Sequence, residues 1–159
     1  MNRTYLLIGG NVGNRRENLD KAAQLIEEQT GKIVNRSSFY ETEAWGKSDQ
    51  PSFFNQVLEV NTSLDPRALL KTVLQIERDM GRARVEKYGP RTIDIDILLF
   101  NDLVLETEGL EIPHPHLHLR RFVLTPLAEI AAALIHPVLK KSIDELLLEC
   151  PDKLTVKKL

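Results

Sequence analysis

Two aspartates in the segment TIDIDILLF, Asp94 and Asp96, are the residues of this 159-residue chain whose type and spacing point most directly to chemistry. Successive side chains of a strand point to opposite faces, so the two carboxylates share one face and Ile93, Ile95 and Ile97 share the other. The carboxylates then lie roughly 7 Å apart. Carboxylate oxygens without nearby cysteine suit Mg²⁺, which completes its shell with phosphate and water. A solvated strand face is the alternative for this pair taken alone.

The segment just before the aspartates is basic. RARVEKYGPR contains Arg82, Arg84, Lys87 and Arg91 but only one acid, Glu86, in a chain whose net charge is -2. Guanidinium groups beside a metal site neutralise the charge of a polyphosphate and stabilise its leaving group. A solvated basic loop is the alternative, and it is less favoured next to the aspartate pair.

The usual phosphate-binding motifs are missing from the sequence. There is no G-x-x-x-x-G-K-[ST], and Gly9-Gly10-Asn11-Val12-Gly13 does not have the G-x-G-x-x-G spacing of a dinucleotide fold. We therefore interpret this glycine-rich segment as a tight turn that needs positive φ.

Three of the four histidines, His114, His116 and His118, lie in IPHPHLHLRRF. Their spacing does not match a common zinc pattern. We expect one histidine, together with Arg120 and Arg121, to line the phosphate site from the other side.

The elements that must position these residues follow from periodicity and turn signals. Strands are predicted at 4–8, 32–44, 53–62 and 92–100, and helices at 15–30, 66–80, 123–134 and 142–149. Gly31 is the expected cap after the first helix, and Asp65-Pro66 the expected start of the second. The order predicts an α+β fold, a ferredoxin-like α/β sandwich in which helices pack on one face of an antiparallel sheet, with C-terminal helical extensions.

Composition limits the class of protein. Hydrophobic residues at 42% and charged residues at 28% are typical of a globular chain, and the acidic balance disfavours a surface that grips nucleic acid. No window approaches the ~18 apolar residues of a membrane span, and the N-terminal apolar run is too short for a signal peptide. A single cysteine, Cys150, excludes an internal disulfide and is expected in the core. We predict one domain over 1–159, a cytoplasmic location, no membrane or nucleic-acid partner and, without an apolar surface stripe, a monomer.

The segment KYGPRTIDIDIL is similar to the signature of the 6-hydroxymethyl-7,8-dihydropterin pyrophosphokinase family of folate biosynthesis. Further segments resemble other motifs of that family: Ile8-Gly9-Gly10-Asn11, Ser38-Phe39-Tyr40-Glu41-Thr42, Gln50-Pro51, Phe54-Asn55, Glu77 with Gly81-Arg82, Pro113-His114 and Arg120-Arg121-Phe122-Val123-Leu124 before Pro126-Leu127. The resemblance covers essentially the whole chain.

This resemblance implies a ferredoxin-like fold and the transfer of a pyrophosphoryl group from ATP to the hydroxymethyl group of the reduced pterin, which releases AMP. It implies that Asp94 and Asp96 hold two Mg²⁺ ions and that Arg82 and Arg91 also act at the reacting phosphates. It places the pterin against Thr42, Trp45, Gly46, Phe53, Asn55 and Phe122, and the nucleotide against Glu77, Arg82, Arg84, Arg91, Ile97, His114 and Arg120. A flat heterocycle needs aromatic faces and a few hydrogen bonds at its edge, which agrees with these residue types.

Two other classes compete with this interpretation. Ferredoxin-like sheets also bind RNA, but the central strand here presents aspartates, which repel a phosphate backbone, instead of exposed aromatic residues. The histidine tract could instead belong to a metal-binding protein. Mg²⁺-dependent nucleotide binding distinguishes the kinase from both, because only the kinase requires it.

Overall fold

The computed structural model describes residues 1–43, 50–81 and 92–159. Its helices are α1 (Arg15–Gln29), α2 (Pro66–Asp79), α3 (Arg121–Ala131) and α4 (Ile143–Glu149), with a 3₁₀ turn at Leu117–Leu119. Its strands are β1 (Asn2–Gly10), β2 (Gly31–Arg36), β3 (Tyr40–Thr42), β4 (Phe53–Thr62), β5 (Asp94–Phe100), β6 (Leu105–Thr107), β7 (Leu110–Ile112) and β8 (Val156–Lys158). The predicted loop at Arg82–Arg91 lies outside the described residues.

The main sheet confirms the predicted ferredoxin-like topology. Its strand order is β5-β1-β4-β3-β8, β2 also pairs with β4, and each pairing is antiparallel. The two central strands are β1 and β4, which pair from Asn2 opposite Thr62 to Gly10 opposite Phe54. The strand that carries the aspartates, β5, lies at the edge of the sheet next to β1, so the expectation that it is the central strand is wrong. The second predicted strand consists of two short strands, β2 and β3, which both pair with β4.

The two helices of the ferredoxin-like unit, α1 and α2, pack on one face of the sheet as predicted, and the C-terminal helical extensions, α3 and α4, cover the other face. Leu6 and Ile8 of β1 belong to a core with buried side chains of α1 and α2, whereas Tyr5 and Leu7 belong to a second core with side chains of α3 and α4. Every other residue of a strand faces the same side, so the apolar residues on both sides of β1 need a cover on each. The C-terminal helices provide the second cover, and Cys150 is buried among them as predicted.

Local capping explains where the helices begin. Asp65 accepts a hydrogen bond from the Ala68 N–H (2.8 Å), with Pro66 in the first turn, as the sequence predicts. Ser142 and Glu145 form a reciprocal capping box at α4. The cap after α1 is Thr30 and not Gly31, which is the first residue of β2 and lies too close to Asn61 to carry a Cβ atom.

Candidate active site

The sheet face under α3 gathers most of the described candidate residues. Residues paired across antiparallel strands share a face, and the register places Asp94 opposite Gly9 and Gly9 opposite Asn55. Asp96 lies opposite Leu7, and the Leu7 side chain belongs to the core under α3 and α4, so Asp96 is on the same face as Asp94. The predicted alternation of β5 is therefore confirmed, because Ile95 and Ile97 pack in the other core with α1 and α2.

The strand that carries the aspartates is fixed on its outer side. β5 pairs with β1, and its other side has an N–H donor at Ile95 and a carbonyl at Leu98 that need partners. The Ile95 N–H donates to Glu77 Oε2 (2.7 Å), and the Leu98 carbonyl accepts from the His114 N–H (2.9 Å). Glu77 on α2 is only 5% exposed. Two residues that the resemblance assigns to the nucleotide thus also hold the backbone around Asp94 and Asp96.

Gly9 makes room for Asn55. A Cβ atom added to Gly9 would lie 2.1 Å from Asn55 Oδ1 and 3.1 Å from the Phe54 carbonyl oxygen. The buried Asn55 amide therefore occupies the space where most residues would place a side chain. The interpretation of the glycine-rich segment as a turn with positive φ holds for Gly13, at +66°, but it missed this steric role of Gly9.

Thr42 supplies a buried polar atom beside Asn55. Thr42 pairs with Phe53, and both lie on the same face as Asn55 because the strand positions differ by two. Thr42 is 3% exposed, and within the described part of the chain its Oγ1 has no hydrogen-bond partner. Such a hydroxyl costs about 1–3 kcal/mol unless a ligand or water satisfies it. This end of the sheet therefore suits a ligand with polar groups at its edge.

The segment that leads into α3 covers the same side of the sheet, because Phe122 packs against the core under α3 and α4. Arg120 lies over the ring of Phe122, with 5.9 Å between Cζ and the ring centroid. Burial is the main cause that lowers the pKa of His114 to about 4, and the nearby charges of Arg120 and His116 act in the same direction. His114 Nδ1 accepts the His116 N–H (3.1 Å), so the neutral ring carries its proton on Nε2. His114 is therefore a neutral donor beside a permanent cation.

The low pKa of His114 predicts a pH dependence of stability. Histidine in the unfolded chain has a pKa near 6.5, so as the pH falls from about 6.5 towards 4 the unfolded state takes up a proton first and stability is lost. We expect the free energy of unfolding to drop by about 1–2 kcal/mol more between pH 7.5 and 5 in the wild type than in His114→Asn. Urea unfolding at the two pH values measures this difference. His118→Asn is the control, and equal drops in the wild type and His114→Asn would contradict the prediction.

Several sequence-predicted residues lie elsewhere. The Ile97 side chain is buried in the α1 and α2 core, away from the aspartate face. Arg121 contacts the C-terminal segment. Its Nε donates to the Asp152 carbonyl (3.0 Å), and its backbone N–H donates to the Asp152 carboxylate. His118 lies against His136. The remaining site candidates are outside the described residues: Trp45, Gly46, Arg82, Arg84 and Arg91.

The donor set of this face fits magnesium better than zinc. Asp94 and Asp96 are half-buried carboxylates on one face, and one or two carboxylates are what Mg²⁺ takes from a protein when phosphates complete its shell. In the ranges 1–43, 50–81 and 92–159, no three or more of the side chains of His, Cys, Asp and Glu are grouped to hold a metal.

Paired carboxylates are how proteins hold a metal-bound polyphosphate, and here the buried Asn55 amide and Thr42 hydroxyl lie on the same sheet face as the pair. The class is that of small-molecule kinases. More particularly, the chain belongs to the 7,8-dihydro-6-hydroxymethylpterin-pyrophosphokinase (HPPK) family, whose model matches residues 5–132.

Relatives of known name agree with this assignment. The chain is 46% identical over 130 residues to the 2-amino-4-hydroxy-6-hydroxymethyldihydropteridine pyrophosphokinase of Bacillus subtilis, covering 81% of this chain and 78% of the relative. The enzyme of the same name from Aquifex aeolicus is 43% identical over 145 residues, covering 91% and 90%. The folic acid synthesis protein FOL1 of Dictyostelium discoideum is 41% identical over 151 residues, which are 95% of this chain but 23% of that protein.

Solved structures support the fold. The crystal structure of wild-type Plasmodium falciparum HPPK-DHPS with pterin and p-hydroxybenzoate matches 93% of this chain with a TM-score of 0.76 at 23% identity. The chain spans 43% of the length of that protein.

The described part of the chain contains no helix long and apolar enough to cross a membrane.

Proposed function

We propose that this chain carries out the reaction of its family: it transfers the pyrophosphoryl group of ATP to the hydroxymethyl group of 6-hydroxymethyl-7,8-dihydropterin and releases AMP. This is a step of folate biosynthesis. The observation that carries the proposal is the shared sheet face, on which two carboxylates lie with the buried Asn55 amide and the Thr42 hydroxyl, which lacks a partner in the described part of the chain.

The pterin is proposed to lie over the part of this face formed by Thr42, Phe53 and Asn55, with Phe122 on its other side. The Asn55 amide offers both a donor and an acceptor to the ring edge, and the Thr42 hydroxyl gains the partner that it lacks. Asn55 and Asp94 are separated by one strand, so they lie roughly 10 Å apart across the sheet. A ring over Asn55 therefore directs its hydroxymethyl arm towards the aspartates.

The nucleotide is proposed to occupy the aspartate side of the face. Asp94 and Asp96 would hold two Mg²⁺ ions, which neutralise the charge of the triphosphate and polarise its β-phosphorus for attack when bound. His114, kept neutral, donates from Nε2 without adding charge, and Arg120 supplies a permanent cation. Glu77 and the backbone near Ile97 complete this side. We extend the proposal to Arg82, Arg84 and Arg91 at the phosphates and to Trp45 and Gly46 at the pterin, on the resemblance alone.

The whole chain, 1–159, is proposed to be one pyrophosphokinase domain that works as a monomer in the cytoplasm, with ATP and the pterin as its small-molecule partners and without nucleic acid. The net charge of -2 supports the last point, because a surface that binds a phosphate backbone is usually basic.

Product analysis tests the reaction. The purified chain with ATP, Mg²⁺ and 6-hydroxymethyl-7,8-dihydropterin should give AMP and the pterin diphosphate in equal amounts, because the nucleophile attacks the β-phosphorus. The 6-methyl analogue, which lacks the hydroxyl nucleophile, is the matched control and should give no AMP above background. Accumulation of ADP would indicate an ordinary kinase and overturn the proposal.

A further inference from the structure

A carboxylate outside the candidate site, that of Glu129, joins α3 to β3, the two elements between which the pterin is proposed to lie. Glu129, near the C-terminal end of α3, accepts hydrogen bonds from the Tyr40 hydroxyl (2.7 Å), the Ser38 N–H (2.9 Å) and the Ser38 hydroxyl (2.9 Å). Lys158 of β8 lies 3.9 Å from the same carboxylate. One side chain of α3 therefore holds the start of β3 through three hydrogen bonds.

The strand held in this way carries a pocket residue. β3 has only three residues, Tyr40–Thr42, so Thr42 is two positions from the tyrosine that Glu129 binds and lies on the same face. Tyr40 also pairs with Asn55 across the sheet and is 5% exposed. A shift of Tyr40 would therefore move Thr42 and Asn55, the two residues that are proposed to form hydrogen bonds with the edge of the pterin.

The helix that carries Glu129 also carries Phe122, which is proposed to lie on the other side of the pterin. Phe122 precedes Glu129 by seven residues, which is two turns of helix, so both side chains lie on the same side of α3 about 10 Å apart along its axis. A helix is stiff over two turns, and the position of its far end is therefore set by what fixes Glu129. The hydrogen bonds from Tyr40 and Ser38 fix that end relative to β3.

We propose that Glu129 is a positioning residue for the pterin site: by joining α3 to β3, it sets the gap between the Phe122 ring and the Thr42 and Asn55 side chains. The inference rests on the proposed function, because it assumes that this gap receives the pterin. None of the residues assigned to the nucleotide contacts Glu129 directly among the described residues. An effect on the nucleotide can reach it only through Arg120, which lies over Phe122 at the start of α3, so it should be much smaller than the effect on the pterin.

The chemistry of the cluster supports a fixed contact. Burial alone would raise the pKa of Glu129, but the hydrogen bonds from Tyr40 and Ser38, with Lys158 nearby, lower it on balance, so the carboxylate stays charged at neutral pH. Burial and this carboxylate raise the pKa of Tyr40, which keeps the phenol protonated as a donor. Hydrogen bonds to a charged acceptor are stronger than neutral ones, which suits a contact that must hold its geometry.

Three substitutions test the proposal. Glu129→Ala removes all three hydrogen bonds, Tyr40→Phe removes one, and Glu129→Gln keeps a side chain of the same shape with one acceptor oxygen. We expect the Kd for the pterin to rise at least tenfold in Glu129→Ala, three- to fivefold in Tyr40→Phe and less than threefold in Glu129→Gln. The KM for the pterin should follow the Kd, while kcat and the Kd for a nonhydrolysable ATP analogue with Mg²⁺ stay within twofold.

The control is Glu149→Ala, which removes an exposed glutamate of α4 paired only with Lys141 in the described structure and should leave all these values unchanged. Combining Glu129→Ala with Tyr40→Phe should weaken pterin binding no further than Glu129→Ala alone, because both remove the same contact. Unchanged pterin affinity in Glu129→Ala, or equal loss of pterin and nucleotide affinity, overturns the inference. A wild-type chain that forms no AMP and binds no pterin would instead overturn the proposed function.

Discussion

Asp94→Asn and Asp96→Asn are each expected to lower turnover at least about a thousandfold while the protein stays folded. A bound metal contributes several kcal/mol of charge stabilisation in the transition state, and each 1.36 kcal/mol is a factor of ten in rate. An amide has the shape of a carboxylate but not its charge, so the metal ligand is lost while the packing is kept. Steady-state formation of AMP at saturating Mg²⁺ measures the loss.

The same variants should not lose stability when no metal is present. Two like charges roughly 7 Å apart on one strand face repel each other, and the amide relieves that repulsion. Thermal unfolding in the presence of a chelator should therefore give a Tm close to that of the wild type, because relief of this repulsion offsets the weaker contacts that the amide makes with the other partners of each carboxylate. In the wild type alone, Mg²⁺ with an ATP analogue should then raise the Tm substantially, because a ligand that binds only the folded state stabilises it.

The matched control is Asp102→Asn, an exposed aspartate in the turn just after β5. It removes the same charge from the same part of the chain and should keep turnover within twofold. Near-normal activity in Asp94→Asn or Asp96→Asn would show that the pair is not the metal site. A large fall in Tm without metal would show that the carboxylates serve the fold and not the reaction.

The parts of the fold that local chemistry decides were predictable from the sequence. The alternation in TIDIDILLF predicts which side chains of β5 share a face, and Asp65-Pro66 predicts where α2 begins. Both depend on residues at most four positions apart, where backbone geometry leaves few choices. The order of these elements was enough to predict the ferredoxin-like sheet.

Long-range pairing was not predictable in this way. β8 pairs with β3 across more than a hundred residues, and its three residues have no pattern that distinguishes them from a tail. The side chains of α3 and α4 cover Tyr5 and Leu7 on the second face of β1, and nothing local in the sequence predicts which elements supply that cover. A strand that is buried on both faces has a continuous run of apolar residues, and the segment TYLLI of β1 is such a run, so the sequence does indicate that β1 is covered on both faces.

The candidate site was predictable to different extents. Asp94 and Asp96 were identified from their own spacing, whereas Thr42, Phe53 and Asn55 were assigned from the family resemblance alone. Only the register between β1, β3, β4 and β5 shows that these residues share a face with the aspartates. The role of Gly9 also depends on register, since its neighbour Asn55 is 46 positions away and no local rule brings the two together.

Gly9→Ala is expected to weaken pterin binding about ten- to a hundredfold. The added methyl group would lie 2.1 Å from Asn55 Oδ1, and the Phe54 carbonyl at 3.1 Å belongs to the backbone and cannot move away easily. The Asn55 amide must therefore leave its place, and a misplaced polar contact costs about 1–3 kcal/mol of affinity. Equilibrium binding of 6-hydroxymethyl-7,8-dihydropterin measures the effect, and urea unfolding should show a loss of about 1–3 kcal/mol from overpacking.

Two further variants separate this collision from a general effect of replacing a glycine. Gly109→Ala lies in the turn between β6 and β7 at φ +82° with open space around it, so it should lose about 1 kcal/mol of stability without any change in pterin affinity. Asn55→Ala removes the side chain that the new methyl group meets. In that background Gly9→Ala should cost less stability than in the wild type, because the closest contact is gone. Additive losses of stability in the double variant would show that Gly9 is required for a reason other than the position of Asn55.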